Sequence, residues 1–189
     1  MYHKIGFIGL GLIGGSIAKA VRQYFPDYEI IAFDKNRETL ALATQESLIH
    51  VAATSIDDNF KGCSYIFLCA PVSYNTAYLK QIAGYGDDGC ILTDVGSVKT
   101  NIHEEVEALG LEEYFIGGHP MAGSEKSGYV NSKAMLIENA YYVLTPSAKV
   151  PEEKTERYRK FVEALKAIPV ILSYQEHDYV TGTISHLPH

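Results

Sequence analysis

The chain has 189 residues, of which 47% are hydrophobic and 21% charged, which is typical of a globular protein and excludes a disordered one. Its formal net charge of −7 argues against a nucleic-acid-binding surface, and no apolar run is long enough to cross a membrane. The three cysteines lack metal-ligand spacing and the first strand begins almost at once, so we expect a reduced, cytoplasmic protein without a signal peptide.

The first predicted unit is a strand, a glycine-rich turn and a helix. Residues 5–8 form a short apolar run, and the pattern Gly9-x-Gly11-x-x-Gly14 follows it directly. Gly9 permits a tight turn, Gly11 lets a pyrophosphate approach the backbone, and Gly14 lets the helix pack close to the strand. The start of that helix offers free N–H groups to the phosphates. This stretch therefore predicts a dinucleotide-binding turn.

A second predicted strand, residues 29–33, ends at Asp34, about twenty residues beyond the glycine turn, where the dinucleotide fingerprint requires an acid. A carboxylate there accepts hydrogen bonds from the adenosine ribose and repels a 2′-phosphate. The sequence therefore favours NAD over NADP. Arg37 leaves NADP open, since a nearby arginine could bind that phosphate.

Strands and helices continue to alternate after Asp34. Asn36 can cap a helix, Ser73 can cap another that ends near residue 83, and a third is predicted over residues 98–109. Predicted strands cover residues 50–52, 64–70, 90–94 and 114–117. This alternation predicts an α/β fold with a Rossmann-type, doubly wound and mostly parallel sheet.

The pattern changes after residue 117. We predict a short helix near residues 133–137, a strand over 140–145, an amphipathic helix over 151–166 and a strand over 169–172. A new helix begins at Tyr174 and reaches the end of the chain. We therefore expect an NAD-binding domain over residues 1–172 and, over residues 173–189, the start of a helical domain that is otherwise truncated.

Candidate catalytic residues follow the predicted strands, because ligands of open parallel sheets bind at the carboxyl ends of the strands. His119 is predicted to lie in a glycine-rich loop at such an end. Histidine suits the removal of a hydroxyl proton near neutral pH, as a dehydrogenase requires. The alternative is a structural histidine held by backbone groups.

Other polar residues have simple structural interpretations. Ser97 is a good N-cap for the following helix and could also present its hydroxyl to a substrate. Lys99 is most simply a solvated charge, and Glu125 with Lys126 an exposed pair. His186 and His189 have the spacing of metal ligands on a helix, but no third ligand of clear spacing accompanies them.

Four motifs, taken together, resemble the prephenate dehydrogenase family. They are Gly9-Leu-Gly-Leu-Ile-Gly-Gly-Ser16, Asp94-Val-Gly-Ser-Val-Lys99, Gly118-His-Pro-Met-Ala-Gly-Ser-Glu-Lys-Ser-Gly128 and Ile184-Ser-His-Leu-Pro-His189. The resemblance extends over the whole chain, and the last two motifs are far more specific than the glycine turn. It implies NAD-dependent oxidation of prephenate, with loss of carbon dioxide, to 4-hydroxyphenylpyruvate in tyrosine biosynthesis.

The resemblance also implies roles for individual residues. His119 matches the histidine that accepts the substrate's hydroxyl proton, and Ser97 matches a serine that bonds the hydroxyl or steadies that histidine. Glu125 matches an acid at the entrance of the site, while His186 and His189 match substrate-pocket histidines, which replaces the metal interpretation. The residues expected to contact NAD are Gly9, Leu10, Gly11, Leu12, Ile13, Gly14, Asp34, Ala70, Pro71, Val72 and Gly96.

Several alternatives remain at this level. Arogenate, which carries an amine in place of the keto group, could be the substrate. Relatives of 6-phosphogluconate or 3-hydroxyisobutyrate dehydrogenases begin with a similar turn but use a lysine as the acid–base group. The resemblance further implies a homodimer built by a helical domain that supplies an arginine for the substrate's carboxylates. Without that domain, the chain could be a non-catalytic NAD-binding module.

Overall fold

A computed structural model describes residues 3–185 of the chain. Within that range the chain forms eight strands and six α-helices. The strands are β1 (Lys4–Ile8), β2 (Glu29–Phe33), β3 (Val51–Ala53), β4 (Tyr65–Leu68), β5 (Ile91–Asp94), β6 (Ile116–Pro120), β7 (Tyr141–Pro146) and β8 (Ile168–Ile171). The α-helices are α1 (Leu12–Tyr24), α2 (Arg37–Gln45), α3 (Val72–Ile82), α4 (Thr100–Ala108), α5 (Glu152–Ala164) and α6 (Tyr174–Ser185).

The first five strands form a parallel sheet in the order β3-β2-β1-β4-β5. The chain leaves β1 toward one edge and later returns to the other side of β1, so the sheet is doubly wound, as predicted. Strands β1 and β4 are apolar and almost wholly buried, because helices cover both faces of a parallel sheet. The carboxyl ends of β1 and β4 meet at one edge, where the glycine turn lies.

The remaining strands form a second, mixed sheet in which β6 pairs antiparallel with β7 and β7 pairs parallel with β8. The predicted strand at 114–117 is therefore displaced: it runs to Pro120 and belongs to this sheet. A parallel bridge between Leu92 and Phe115 joins it to β5, and the amide of Leu92 donates to the carbonyl of Tyr114 at 2.8 Å. This bridge brings the end of β6 to the same edge as the end of β5.

Two apolar cores lie on opposite faces of the parallel sheet. One contains the predicted apolar side of α5, with Tyr158, Phe161, Val162 and Leu165 all buried. The other lies under α3 and α4, with Leu79, Ile82 and Val106 fully enclosed. The two cores fix the sheet between its helices and therefore fix the relative positions of the loops at the sheet's edge.

Of the two N-caps predicted from the sequence for α2 and α3, the one at α2 is confirmed and the one at α3 is wrong. The side chain of Asn36 accepts hydrogen bonds from the amides of Glu38 and Thr39, as predicted. The proposed cap Ser73 lies inside α3, which begins at Val72, and no side chain caps that helix. Pro71 explains the difference, because its ring fixes the backbone just ahead of the first helical residue.

Between residues 3 and 185, none of the helices has the length and apolar character that a bilayer crossing needs.

Candidate active site

The glycine turn between β1 and α1 has the geometry that each glycine was predicted to provide. Gly9 has φ +102°, and a Cβ there would lie 2.8 Å from the backbone of Ala70. A Cβ on Gly14 would lie 2.6 Å from the carbonyl oxygen of Gly9, so this glycine allows α1 to approach the strand. A Cβ on Gly11 would meet nothing within 4 Å, which leaves open space in front of the helix start.

Asp34 lies beside this turn and organises it. Its Oδ2 accepts a hydrogen bond from the amide of Leu10 at 2.7 Å, and its Oδ1 accepts one from the amide of Asn36 at 2.8 Å. The carboxylate lines a cavity of about 270 Å³ together with Gly9, Gly11, Ala70 and Pro71. Since a carboxylate has about four acceptor positions, it keeps capacity for the hydroxyls of a ligand.

The two cations near Asp34 have different positions. Lys35 lines the same cavity, with its Nζ 4.0 Å from the centre of the Tyr74 ring. Arg37 instead lines a separate groove along α2 and β3. Arg37, which kept NADP possible on the sequence alone, therefore lies on a different surface from the cavity at Asp34.

Asp94, the last residue of β5, connects three parts of the sheet edge. Its Oδ1 accepts from the amide of Gly118 at 3.1 Å, and its Oδ2 accepts from the amide of Gly96 at 3.2 Å and from the Nζ of Lys99 at 2.5 Å. Lys99 is fully buried, so its interpretation as a solvated charge is wrong. Burial lowers the pKa of Lys99, and the Asp94 carboxylate opposes that effect.

Replacing Lys99 by Met is expected to destabilise the fold by about 3–5 kcal/mol, because Asp94 would remain buried without its cation. Lys80→Met is the matched control, since Lys80 is 62% exposed and pairs with Glu105 at the surface. The control should cost less than about 1 kcal/mol. Urea denaturation of both variants measures these losses, and similar small values would contradict the structural role of the buried pair.

Helix α4 is capped from a distant part of the chain. It begins at Thr100, not at Val98, and among the described residues Ser97 is exposed and accepts no hydrogen bond from the helix. Ser97 is therefore not the N-cap. The carboxylate of Asp178, in α6, accepts from the amides of Lys99 and Thr100, each at 2.8 Å, and from the Thr100 hydroxyl at 2.6 Å.

His119 lies within β6, paired with Val143, and not in the loop where it was predicted. Its Nδ1 is 2.8 Å from the Nε2 of His177, which is fully buried in α6. The Nδ1 of His177 is in turn 2.6 Å from the Oδ1 of Asp178. Asp178, His177 and His119 thus form a continuous hydrogen-bonded chain, which we call the relay.

The relay determines the tautomers of both histidines when they are neutral. The Asp178 carboxylate only accepts, so the Nδ1–H of His177 must donate to it, which leaves the Nε2 of His177 as an acceptor. His119 must then donate through Nδ1–H. The Nε2 of His119 therefore carries the free lone pair, and this is the atom that can accept a proton from a ligand.

The environment of His119 favours its neutral form, and burial is the main cause. Burial lowers its pKa to about 4, with further lowering by His177 and Lys99, while Asp94 and Asp178 act in the opposite direction. Burial alone would raise the pKa of Asp178, but hydrogen bonds from Thr100 and His177 lower it overall. Near neutral pH the site therefore holds a neutral imidazole and an ionised carboxylate.

The structure brings several other sequence-predicted residues to this edge. A Cβ on Gly96 would lie 3.3 Å from the side chain of Val72, so the segments 70–72 and 94–97 meet here. Glu125 is exposed in the loop that follows β6. Ser97 is exposed next to Gly96, and within residues 3–185 it makes no hydrogen bond to His119. His186 and His189 lie outside the described residues.

Sequence reasoning did not identify His177 or Asp178 as part of the site. They lie about sixty residues beyond His119 in the chain, at the start of a helix that follows a separate sheet. Asp178 has the usual position of an acid near a helix N-terminus, so its sequence context gave no reason to expect more. The feature that marks this pair as part of the site is a buried histidine next to an acid, and the sequence does not show that His177 is buried.

Comparison with known proteins gives consistent results. Residues 17–171 match the family model described as prephenate dehydrogenase, nucleotide-binding domain. Prephenate dehydrogenase of Lactococcus lactis is 41% identical over 98% of this chain and 51% of its own length. Prephenate dehydrogenase of Bacillus subtilis is 38% identical over 100% of this chain and 52% of its own length. The chain thus spans about half the length of these curated relatives.

Two crystal structures extend the comparison to the fold. Prephenate dehydrogenase from Aquifex aeolicus, in complex with hydroxyphenyl propionate and NAD+, superposes with a TM-score of 0.90 at 31% identity, over 100% of this chain and 66% of that one. Synechocystis arogenate dehydrogenase gives a TM-score of 0.89 at 33% identity, over 97% of this chain and 64% of that one. The glycine turn, the edge-lying histidine and these matches agree: the chain belongs to the prephenate dehydrogenase nucleotide-binding domain family.

Proposed function

We propose that this protein uses NAD to oxidise prephenate, with loss of carbon dioxide, to 4-hydroxyphenylpyruvate in tyrosine biosynthesis. The observation that carries the proposal is the relay: it leaves the Nε2 of His119 as a proton acceptor at the sheet edge that also holds the glycine turn. The similarity to the prephenate dehydrogenases of Lactococcus lactis and Bacillus subtilis and to the NAD+ complex of the Aquifex aeolicus enzyme supports it.

The residues at the edge fit a dinucleotide. The open space in front of Gly11 can hold a pyrophosphate against the start of α1, and Asp34 offers acceptor oxygens to a ribose. We propose that Gly9, Leu10, Gly11, Leu12, Ile13, Gly14, Asp34, Ala70, Pro71, Val72 and Gly96 hold NAD. Leu10 acts through Asp34, since its amide already donates to that carboxylate.

Each group has a distinct task in the proposed reaction. NAD held at the glycine turn and Asp34 would supply the acceptor for the hydride of the ring carbon that carries the hydroxyl. His119 accepts the hydroxyl proton at Nε2 while it donates through Nδ1 to His177, and Asp178 stabilises the positive charge that develops along the relay. The ring carboxylate leaves as carbon dioxide, and its bonding electrons complete the aromatic ring and turn the new ring carbonyl into the phenol oxygen, which takes the proton back from His119. The protein therefore needs no separate electron sink.

Further parts of the proposal concern substrate contacts and assembly. Ser97 and Glu125 would contact the substrate from the exposed loops at the edge, and His186 and His189 would line its pocket. Residues 1–172 would form the NAD-binding domain and residues 173–189 the start of a helical one. We also propose a cytoplasmic homodimer.

The test measures NADH formation from prephenate by its absorbance. Both this chain and the protein encoded by the longest reading frame that contains it are assayed. Arogenate is assayed in parallel, because the Synechocystis relative is an arogenate dehydrogenase. Turnover of prephenate supports the proposal, and faster turnover of arogenate would reassign the substrate. Tight NAD binding without turnover of either would indicate a non-catalytic module.

Asp34→Ser is expected to raise kcat/KM for NADP relative to NAD by about tenfold or more, because it removes the charge that repels a 2′-phosphate. Serine keeps an oxygen that can accept from the Leu10 amide. The ratio of kcat/KM for the two coenzymes is the measurement, and Asp27→Ser, at an exposed position outside the cavity, is the control. An unchanged ratio in the Asp34 variant would remove Asp34 from coenzyme discrimination.

A further inference from the structure

A second cavity, of about 470 Å³, opens at the opposite edge of the parallel sheet. Its lining residues lie at the amino ends of strands: Tyr28 precedes β2, Tyr65 begins β4 and Gly89 precedes β5. A strand of five residues is about 16 Å long, so this cavity is separated from the glycine turn by the full height of the sheet. Nothing in the proposed reaction uses it.

One wall of this cavity is a continuous group of aromatic rings. The ring of Phe25 stacks on Phe161 with centroids 5.1 Å apart, and Phe161 stacks on Tyr65 at 4.4 Å. The ring of Tyr28 meets Phe25 edge-on at 5.2 Å. Phe161 and Tyr65 are themselves buried, so the half-buried rings of Phe25 and Tyr28 supply the apolar surface that an aromatic ligand could contact.

The other wall, formed by α5, is cationic. Arg157 and Lys160 line the cavity, and among its described lining residues there is no carboxylate. The Nη2 of Arg157 is buried and makes no hydrogen bond within the described part of the chain. A buried guanidinium nitrogen without an acceptor is costly, and a ligand that supplies an acceptor removes that cost.

Lys154 brings a third cation near the cavity, and the carboxylates of Asp87 and Asp88 lie close to it. The Nζ of Lys154 donates to the carbonyl of Asp87 at 2.6 Å. Burial lowers the pKa of Lys154 and the charge of Arg157 lowers it further, while Asp88 and Asp87 oppose this. By contrast Arg159, two residues along α5, is paired with Glu156 and Glu163 at the surface.

We propose that this cavity is a binding site for an aromatic carboxylate, with the ligand's ring against Phe25 and Tyr28 and its carboxylate on Arg157. The Nη2 of Arg157, which has no acceptor among the described residues, would donate to that carboxylate, while the guanidinium keeps its hydrogen bond to Tyr65. The site is separate from the coenzyme cleft and does not depend on the proposed reaction.

The probe for this site is 2-naphthoate, and 2-naphthalenemethanol is the uncharged probe of similar shape. Both are titrated into the ¹⁵N-labelled protein in the presence of saturating NAD. We expect 2-naphthoate to shift the amide signals of Gly89 and Phe161 without moving those of Gly11 and Gly118. The alcohol should bind at least tenfold more weakly, because it makes no charged hydrogen bond to Arg157.

Arg157→Met tests the cation while keeping an unbranched side chain on the helix, and Arg159→Met is the matched control. The first variant should weaken 2-naphthoate binding by about tenfold or more and leave the alcohol unaffected, whereas the control should bind both as the parent does. Equal binding of the two probes, an equal effect of the two variants, or shifts confined to Gly11 and Gly118 would overturn the proposal. If the protein failed to bind NAD but 2-naphthoate still shifted the amide signal of Gly89, the second site would be supported and the proposed function would be contradicted.

Discussion

His119→Asn is expected to lower kcat for prephenate oxidation by a factor of about 10²–10⁴, the range that a general base contributes, while the dissociation constant of NAD stays unchanged. Asparagine can still donate to the Nε2 of His177 through its amide, so the buried contact is retained. What it lacks is a basic atom in the position of the His119 Nε2. Steady-state kinetics with prephenate, together with a direct titration of NAD, separates the two effects.

His3→Asn provides the control for the loss of a histidine as such, because His3 is exposed and stacks only on Tyr28 in the described structure. It should turn over at the parent rate. If the His119 variant did the same, His119 would not be the base, and the relay would have a structural role only.

The pH dependence of prephenate oxidation by the parent protein would provide a second check on the proposed role of His119. Its pKa is lowered to about 4 from the usual 6.5, so the imidazole stays neutral, and able to accept a proton, as pH falls through 6.5. The fall of kcat/KM on the acid side should therefore occur well below pH 6.5. A midpoint at the ordinary histidine value would show that the environment seen here does not persist in the active protein.

The local sequence predicted the parallel half of the fold because each of its elements carries its own signal. The strand 29–33 is an apolar run ended by Asp34, and Asn36 is a recognisable cap; both are confirmed. Such signals arise from backbone requirements within a few residues. The glycine turn is the strongest case, since each glycine fits a steric demand that the structure reproduces at Gly9 and Gly14.

The errors occur where a distant residue takes over a local role. Ser97 has every local property of an N-cap, but the carboxylate of Asp178 caps α4 from another helix. Lys99 is enclosed because β6 packs over it: a Cβ on Gly117 would lie 3.1 Å from its side chain. The position of His119 within a strand depends on its pairing with β7, which follows more than twenty residues later. Tertiary contacts decided each case, and they are not encoded in short-range spacing.

Asp178→Asn is expected to lower kcat by about 10³–10⁴, comparable to the loss when the orienting acid of a catalytic triad is made an amide. The reason is tautomeric. If the asparagine NH₂ group faces the Nδ1 of His177, that nitrogen becomes an acceptor and the proton of His177 moves to Nε2. His177 then donates to the Nδ1 of His119, and His119 carries its own proton on Nε2, where the base is needed.

This inversion has a spectroscopic signature that a merely structural change would not give. Long-range ¹H–¹⁵N correlation spectra of the imidazoles should show His119 protonated at Nδ1 in the parent and at Nε2 in the variant. With the NH₂ group in the Oδ1 position, the asparagine oxygen in the Oδ2 position still accepts from the amide and hydroxyl of Thr100, and only the cap hydrogen bond from the Lys99 amide, worth about 1 kcal/mol, is lost. The melting temperature should therefore change little compared with the loss of activity.

Thr100→Val separates the cap from the relay. It removes the hydroxyl that donates to Asp178 at 2.6 Å but leaves the hydrogen bonds between Asp178, His177 and His119 in place. This variant should lose about 1 kcal/mol of stability, the usual value of one hydrogen bond, and retain turnover within a few-fold. Two results would show that Asp178 acts only by holding α6 against α4. One is that Thr100→Val loses as much activity as Asp178→Asn, and the other is that His119 has the same tautomer in the parent and in Asp178→Asn.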